Sequence, residues 1–157
     1  MSRVQLALNV ADLEEAVAFY SKLFATPPAK VRPGYANFAV ADPPLKLVLI
    51  AGDRQAAGTI NHLGVEVESS GQVAAAAARL AGEGLATEVE TETSCCYAVQ
   101  DKVWVDGPAG EPWEIYTVLA DAEAPPGTPG AGTPGEAACC APRPVLAAAE
   151  DGAGTCC

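Results

Sequence analysis

From Val4 to Val10 the chain alternates: apolar Val4, Leu6, Leu8 and Val10 are separated by Gln5, Ala7 and Asn9. This is the period of a strand with one face packed against a helix, so Gln5 belongs to the opposite face. Asp12 is placed to cap a helix from Leu13 to Phe24, in which Leu13, Ala16, Val17, Tyr20, Leu23 and Phe24 recur at helical spacing, and Pro27-Pro28 ends it. Tyr35 to Val40 and Leu45 to Ile50 read as two strands joined by the Ala41-Asp42-Pro43-Pro44 turn. A polar connection from Gly52 to Gly58 follows, and then the pattern begins again. Asn61 to Val67 repeats the first strand, Ser69 or Ser70 can cap an alanine-rich helix from Gln72 to Leu80, and strands are expected from Ala86 to Glu92, Tyr97 to Val105 and Trp113 to Val118. Asp106-Gly107-Pro108-Ala109-Gly110 supplies a tight turn between the last two.

An offset of 57 residues lays His62 over Gln5, Leu63 over Leu6, Val65 over Leu8, Val67 over Val10 and Leu80 over Leu23. Such a repeat marks an internal duplication. The expected fold class is α+β: two βαβββ modules, about 1–52 and 59–120, form one domain over 1–120 with a curved, mixed, mostly antiparallel sheet around a metal site. From Asp121 onward the composition turns to Ala, Pro, Gly and Glu without apolar periodicity. Such a segment cannot bury enough surface to offset its ordering entropy, so 121–157 reads as a flexible, disordered tail.

The duplication places Gln5 and His62 at equivalent points on the concave face. Glu114 joins them, because Trp113 and Ile115 take the helix-facing side of their strand as Leu63 and Leu6 do. An amide, a neutral imidazole and one carboxylate suit a divalent first-row metal with several positions left open. His62 is the only histidine, which rules out a site built on two different histidines. Taken singly, His62 reads as a hydrogen-bonded structural residue and Glu114 as a solvated strand residue. Their placement opposite Gln5 is what raises them to candidate ligands.

Charge narrows the partners. A net charge of -11 argues against nucleic acid or an anionic membrane surface. The sequence has no apolar run of about 18 residues and no signal peptide ahead of the first strand, so a cytoplasmic location is expected. A small-molecule substrate remains, and the sequence permits a homodimer. The six cysteines all fall in adjacent pairs, Cys95-Cys96, Cys139-Cys140 and Cys156-Cys157. Neighbouring thiols can close only a small strained ring with each other and cross-link no useful loop. As thiolates they form a two-sulfur chelate for a soft, thiophilic centre; as thiols they can equally be small buried hydrophobes. In a reducing compartment the pairs read as reactive or metal-binding rather than as a disulfide framework.

The paired modules, His62 on the first strand of the second half, and the Asp106-Gly107-Pro108, Gly110 and Trp113-Glu114 ending resemble the vicinal oxygen chelate superfamily of glyoxalases, extradiol dioxygenases and bleomycin resistance proteins, over roughly residues 1–120. The run from Cys95-Cys96-Tyr97 to Trp104-Val105, with Trp113-Glu114-Ile115-Tyr116, is similar to one branch, the organoarsenical carbon-arsenic lyases and their cadmium-induced relatives. The resemblance implies a non-haem Fe(II) dioxygenase with O2 as co-substrate, converting trivalent methylarsenite to arsenite and formaldehyde in arsenic detoxification, with trivalent aromatic arsenicals as further substrates. By position, Gln5, His62 and Glu114 would hold iron, and Cys95 and Cys96 would hold arsenic. Many superfamily dioxygenases carry histidine where this chain has Gln5, a change that weakens the metal site because an amide oxygen is a poorer iron ligand than imidazole. Tyr97 and Lys102 are candidate catalytic residues that orient substrate or stabilise negative charge on oxygen; both can equally be ordinary strand residues near a rim.

Two other functions compete. A glyoxalase-type isomerase needs a fourth protein ligand on the last strand of the first half, where Leu45 to Ile50 offers no acid. A non-catalytic protein binding arsenic or cadmium through its three cysteine pairs would leave the Gln5, His62, Glu114 site vestigial. A loop at Cys95 to Tyr97 that closes over bound substrate is a further expectation.

Overall fold

The structure, a computed structural model, describes residues 2–122 apart from 53, 96 and 109. In chain order the elements are β1 (Arg3–Val10), α1 (Leu13–Leu23), β2 (Lys30–Arg32), β3 (Tyr35–Val40), β4 (Leu45–Ala51), a 3-10 turn (Arg54–Ala56), β5 (Ile60–Glu66), α2 (Ser70–Gly82), β6 (Thr87–Cys95), β7 (Ala98–Asp106) and β8 (Pro112–Asp121). The strands form a single mixed sheet in the order β2-β3-β4-β1-β5-β8-β7-β6. Strands β1 and β4 run parallel, as do β5 and β8, and the remaining neighbours are antiparallel. This is the α+β, twice βαβββ fold expected from the internal duplication.

The duplication is written into the central seam between β1 and β5. Leu6 pairs with Leu63, Gln5 with Gly64 and Ala7 with His62. The 57-residue offset maps the first pair onto itself and exchanges the other two. Pseudo-twofold symmetry therefore passes through the seam, and it brings the side chains of Gln5 and His62 toward one another.

The helices cover one face. Side chains of α1, including Leu13, Ala16, Val17 and Tyr20, pack on buried Phe38, Leu47 and Leu49, while Val73 and Leu80 of α2 pack with Val103 and Ile115. Each fully buried Leu or Phe contributes about 1.5–3 kcal/mol of transfer free energy. Helix α1 starts where the sequence predicts, and α2 starts at Ser70, two residues before the expected Gln72, on Ser69, one of the two expected caps. The Asp12 carboxylate accepts from Glu15 N–H at 2.9 Å, and the Ser69 hydroxyl caps α2 while Gln72 reaches back to accept from Glu68 N–H at 2.9 Å.

Strand bounds differ from expectation in four places. Strand β6 continues through Thr93 and Ser94 to Cys95, past a register shift after Glu90, so Cys95 is a strand residue rather than part of a loop. Strand β7 begins at Ala98, paired with Cys95, and Tyr97 just before it has φ 64°. Strand β2 was not visible in the periodicity, because three residues between Pro28 and Pro33 cannot display an alternation. Strand β8 runs on to Asp121, which pairs with Ala98, so the sheet enters the first residue assigned to the tail. The rest of the predicted tail, with Cys139, Cys140, Cys156 and Cys157, lies outside the described residues. No described helix is long and apolar enough to cross a membrane.

Candidate metal centre

Opposite the helices, the sheet buries polar groups. Gln5, His62 and Glu114 are 4%, 5% and 2% exposed and meet over the seam. Gln5 Nε2 donates to Glu114 Oε1 at 2.7 Å and lies 3.1 Å from His62 Nε2; His62 Nε2 is 3.4 Å from Glu114 Oε1. Gly64 makes this meeting geometrically feasible. It sits in register between Gln5 on β1 and Glu114 on β8, and a Cβ there would stand 3.0 Å from Glu114 Cγ and 3.4 Å from Gln5 Cβ. Lacking a side chain, Gly64 leaves room for its two neighbours to lean together across it.

Each of these side chains has an outer partner. The Asn61 amide donates to Asn9 Oδ1 at 2.9 Å, which turns Asn61 Oδ1 toward His62 Nδ1 at 2.8 Å. A carbonyl oxygen only accepts, so Nδ1 carries a proton and Nε2 is the ring nitrogen turned toward the site. Trp104 meets the imidazole edge-on at 5.5 Å and is itself held by a 3.0 Å bond from Nε1 to Glu90. Lys102 Nζ donates to Glu114 Oε2 at 2.8 Å, leaving Oε1 facing the site. Burial alone would raise the Glu114 carboxyl, but the charge of Lys102, with His62, outweighs it and holds the group down at about 2. Behind Gln5, Tyr116 lies against Lys46 and Glu66, and its phenol is pushed far up by burial and then by the Glu66 and Glu114 charges.

The donor set fits a divalent transition ion. Three facial ligands about 2.1 Å from a six-coordinate ion stand about 3 Å apart. The contacts at 2.7, 3.1 and 3.4 Å span such a face. The amide alone is reversed, with its nitrogen inward, and would turn about its terminal bond to offer Oε1. Among the described residues no cluster of three His, Cys, Asp or Glu side chains could hold a metal, so an ion here depends on the amide of Gln5. Symmetry also accounts for the absent fourth ligand. The 57-residue offset maps Gly64 onto Ala7; Glu114 is the β8 partner of Gly64, and the β4 partner of Ala7 is Val48, which is buried and apolar.

The three groups line a cavity of about 20 Å3 together with Cys95, Lys102, Gln100 and Tyr35. Cys95 is 3% exposed, so the last residue of β6 brings its thiol to the same small space as the candidate ligands. Cys96 lies outside the described residues. Tyr97 is placed differently: its ring lies 5.7 Å from that of Tyr35 and packs with Ala7 and Val48, while its hydroxyl donates to Pro33 O at 3.1 Å. It walls the concave face rather than lining the cavity. Lys102 does line it.

A second cavity of about 220 Å3 shares Tyr35, Lys46 and Gln100 with the first and opens between Arg3, Lys30 and Asn37. Gln100 Oε1, buried on this boundary, has no hydrogen-bond partner among the described residues. Gln100, Asn61 and Tyr116 were not singled out from the sequence. For Tyr116 and Gln100 a usable signal exists: they share strand parity with Glu114 and Lys102, and so face the same concavity.

A model of the Glyoxalase/Bleomycin resistance protein/Dioxygenase superfamily matches residues 3–115, and the chain belongs to that family. Within it, the chain is 59% identical over 157 residues, the full length of both chains, to a protein of Thermomonospora curvata named trivalent organoarsenical cleaving enzyme. It is 67% identical over 123 residues, 78% of this chain and 80% of the relative, to the cadmium-induced protein CadI of Mycobacterium tuberculosis. Among solved structures, the 2,3-dioxygenase LapB of Pseudomonas sp. KL28 shares the fold, with a TM-score of 0.59 and 21% identity over 76% of this chain and 42% of LapB.

Proposed function

We propose that the chain is an Fe(II)-dependent dioxygenase that cleaves the carbon-arsenic bond of trivalent organoarsenicals, with methylarsenite as substrate and arsenite and formaldehyde as products. One observation carries the reading: a buried thiol, Cys95, lines the same cavity as an imidazole, an amide and a carboxylate that meet at ligand spacing. The name of the Thermomonospora curvata relative supports the substrate class.

Gln5, His62 and Glu114 would hold the iron, and Fe(II) when bound would supply the one-electron chemistry that lets O2 react with a closed-shell arsenical. The protein's own groups do the rest. Arsenic prefers sulfur to oxygen. Cys95 and its neighbour Cys96 would replace the two hydroxyls of methylarsenite, each thiol proton leaving with a hydroxyl as water. The methyl group would then remain on arsenic with the carbon exposed to the cavity. Fixing the reacting bond this way supplies the proximity advantage, up to about 7–11 kcal/mol in favourable cases. Lys102 keeps Glu114 ionised, and Asn61 keeps His62 Nε2 facing inward. Overall, CH3As(OH)2 and O2 become As(OH)3 and HCHO, so the atoms balance with O2 as the sole co-substrate.

The test is to incubate Fe(II)-loaded protein with methylarsenite in air and under nitrogen and to measure arsenite. Arsenite in air alone is expected. Arsenite under nitrogen overturns the oxygen requirement, and arsenite in neither gas overturns the dioxygenase reading.

A further inference from the structure

The Gln5 amide presents its nitrogen to the site and its oxygen away from it. Outward Oε1 accepts from the Tyr116 hydroxyl at 2.6 Å. That hydroxyl is also 2.9 Å from Glu66 Oε2 and accepts from Lys46 Nζ at 3.0 Å. A phenol carries one proton, yet here two acceptors, Gln5 Oε1 and Glu66 Oε2, compete for it. A half-turn of the amide removes the competition. Oε1 then faces His62 and Glu114, the outward N–H donates to the tyrosine oxygen, and the tyrosine proton goes to Glu66.

No other group described around Tyr116 can serve that outward N–H as well. Lys46 is the register partner of Gln5 on the neighbouring strand, and Arg3 lies two residues along β1 with its guanidinium on Glu66 at 3.0 Å. Both cations only donate. Left to them, the amide would keep its oxygen outward and its N–H groups against the space a cation needs. Glu66 is already bonded to Arg3 and Lys46. The tyrosine hydroxyl alternates between donor and acceptor, so it can satisfy either orientation.

We infer that Tyr116 is a positioning residue that lets the Gln5 amide reverse to hold a divalent metal, its hydroxyl proton passing by rotation from Gln5 to Glu66. The inference rests on the proposed metal site and adds a determinant of its affinity. It also gives a reason why an amide can serve where imidazole needs no such device: an amide has a wrong end, and Tyr116 makes the right end accessible.

The test uses Co(II) as the probe, titrated under nitrogen into the metal-free full chain and followed by its visible d–d absorption. Tyr116→Phe is expected to weaken Co(II) binding about tenfold to a hundredfold, the range for loss of a group that orients a ligand. In a Gln5→Glu background the same substitution should change the dissociation constant less than about threefold, because a carboxylate offers oxygen from both ends. Unchanged affinity in Tyr116→Phe overturns the inference, and so does an equal loss in both backgrounds, which a merely structural role would give. If Tyr116→Phe fails to fold, Glu66→Leu removes the acceptor for the hydroxyl proton and should weaken Co(II) binding similarly; unchanged affinity there overturns it. Should the unsubstituted protein bind no Co(II), the metal reading fails and this inference with it, an outcome distinct from the others.

Discussion

The Lys102 ammonium and the Glu114 carboxylate are sealed from solvent at 1% and 2% side-chain exposure and bonded at 2.8 Å. A pair buried so completely is asymmetric in its energetics: forming it gains little net, but removing one partner strands the other charge. Lys102→Met should therefore cost about 3–5 kcal/mol in urea unfolding of the metal-free protein. A loss below about 1 kcal/mol would mean that Glu114 finds another partner or water. The pH dependence has a definite sign. Glu114 falls from the ordinary 4.5 of a glutamate to about 2 on folding, so its contribution is complete above pH 4.5 and is lost as pH falls toward 2. Without Lys102 the folded pKa rises, and acid unfolding should move to higher pH. At this scale the sequence pointed to the inner groups and, apart from Lys102, hid the outer ones. Gln5, His62 and Glu114 follow from parity and one repeat offset, and Cys95 from its unusual neighbour. Asn61 and Tyr116 act by hydrogen-bond direction, which residue order does not encode.

At the scale of elements, β5 determines the site. It is the strand flanked by β1 and β8, and Gly64 on it lets Gln5 and Glu114 meet. Gly64→Ala should leave the fold intact, displace Glu114, and weaken divalent metal binding while costing about 1–3 kcal/mol of stability through local overpacking. Metal titration and thermal unfolding check this; wild-type affinity would show that β5 and β8 can separate without penalty. Strand existence was readable wherever alternation ran five residues or more. The three-residue β2 and the continuation of β6 to Cys95 were not, because Thr93 and Ser94 look like a turn and owe their extended form to pairing with Gln100 and Val99. That continuation matters: it fixes Cys95 on the sheet, in register with Ala98.

For the whole molecule, duplication followed by divergence explains the architecture. Symmetry creates two equivalent positions at the seam, Gln5 and His62, and asymmetry supplies the acid once, at Glu114, with Val48 opposite. Helices cover one face with an apolar core, and the other face spends its burial on polar chemistry. If the proposed function holds, the larger cavity beside the site would accommodate the organic substituent on arsenic, with Gln100 Oε1 at the boundary. The central claim is that adjacent thiolates hold arsenic beside the Gln5, His62, Glu114 metal. Arsenic K-edge X-ray absorption on Fe(II)-loaded protein with methylarsenite under nitrogen reads the arsenic neighbours directly. The account predicts two sulfurs and one carbon on arsenic, with sulfur lost in Cys95→Ser. Arsenic surrounded by oxygen and carbon alone, or sulfur neighbours unchanged in Cys95→Ser, would contradict it.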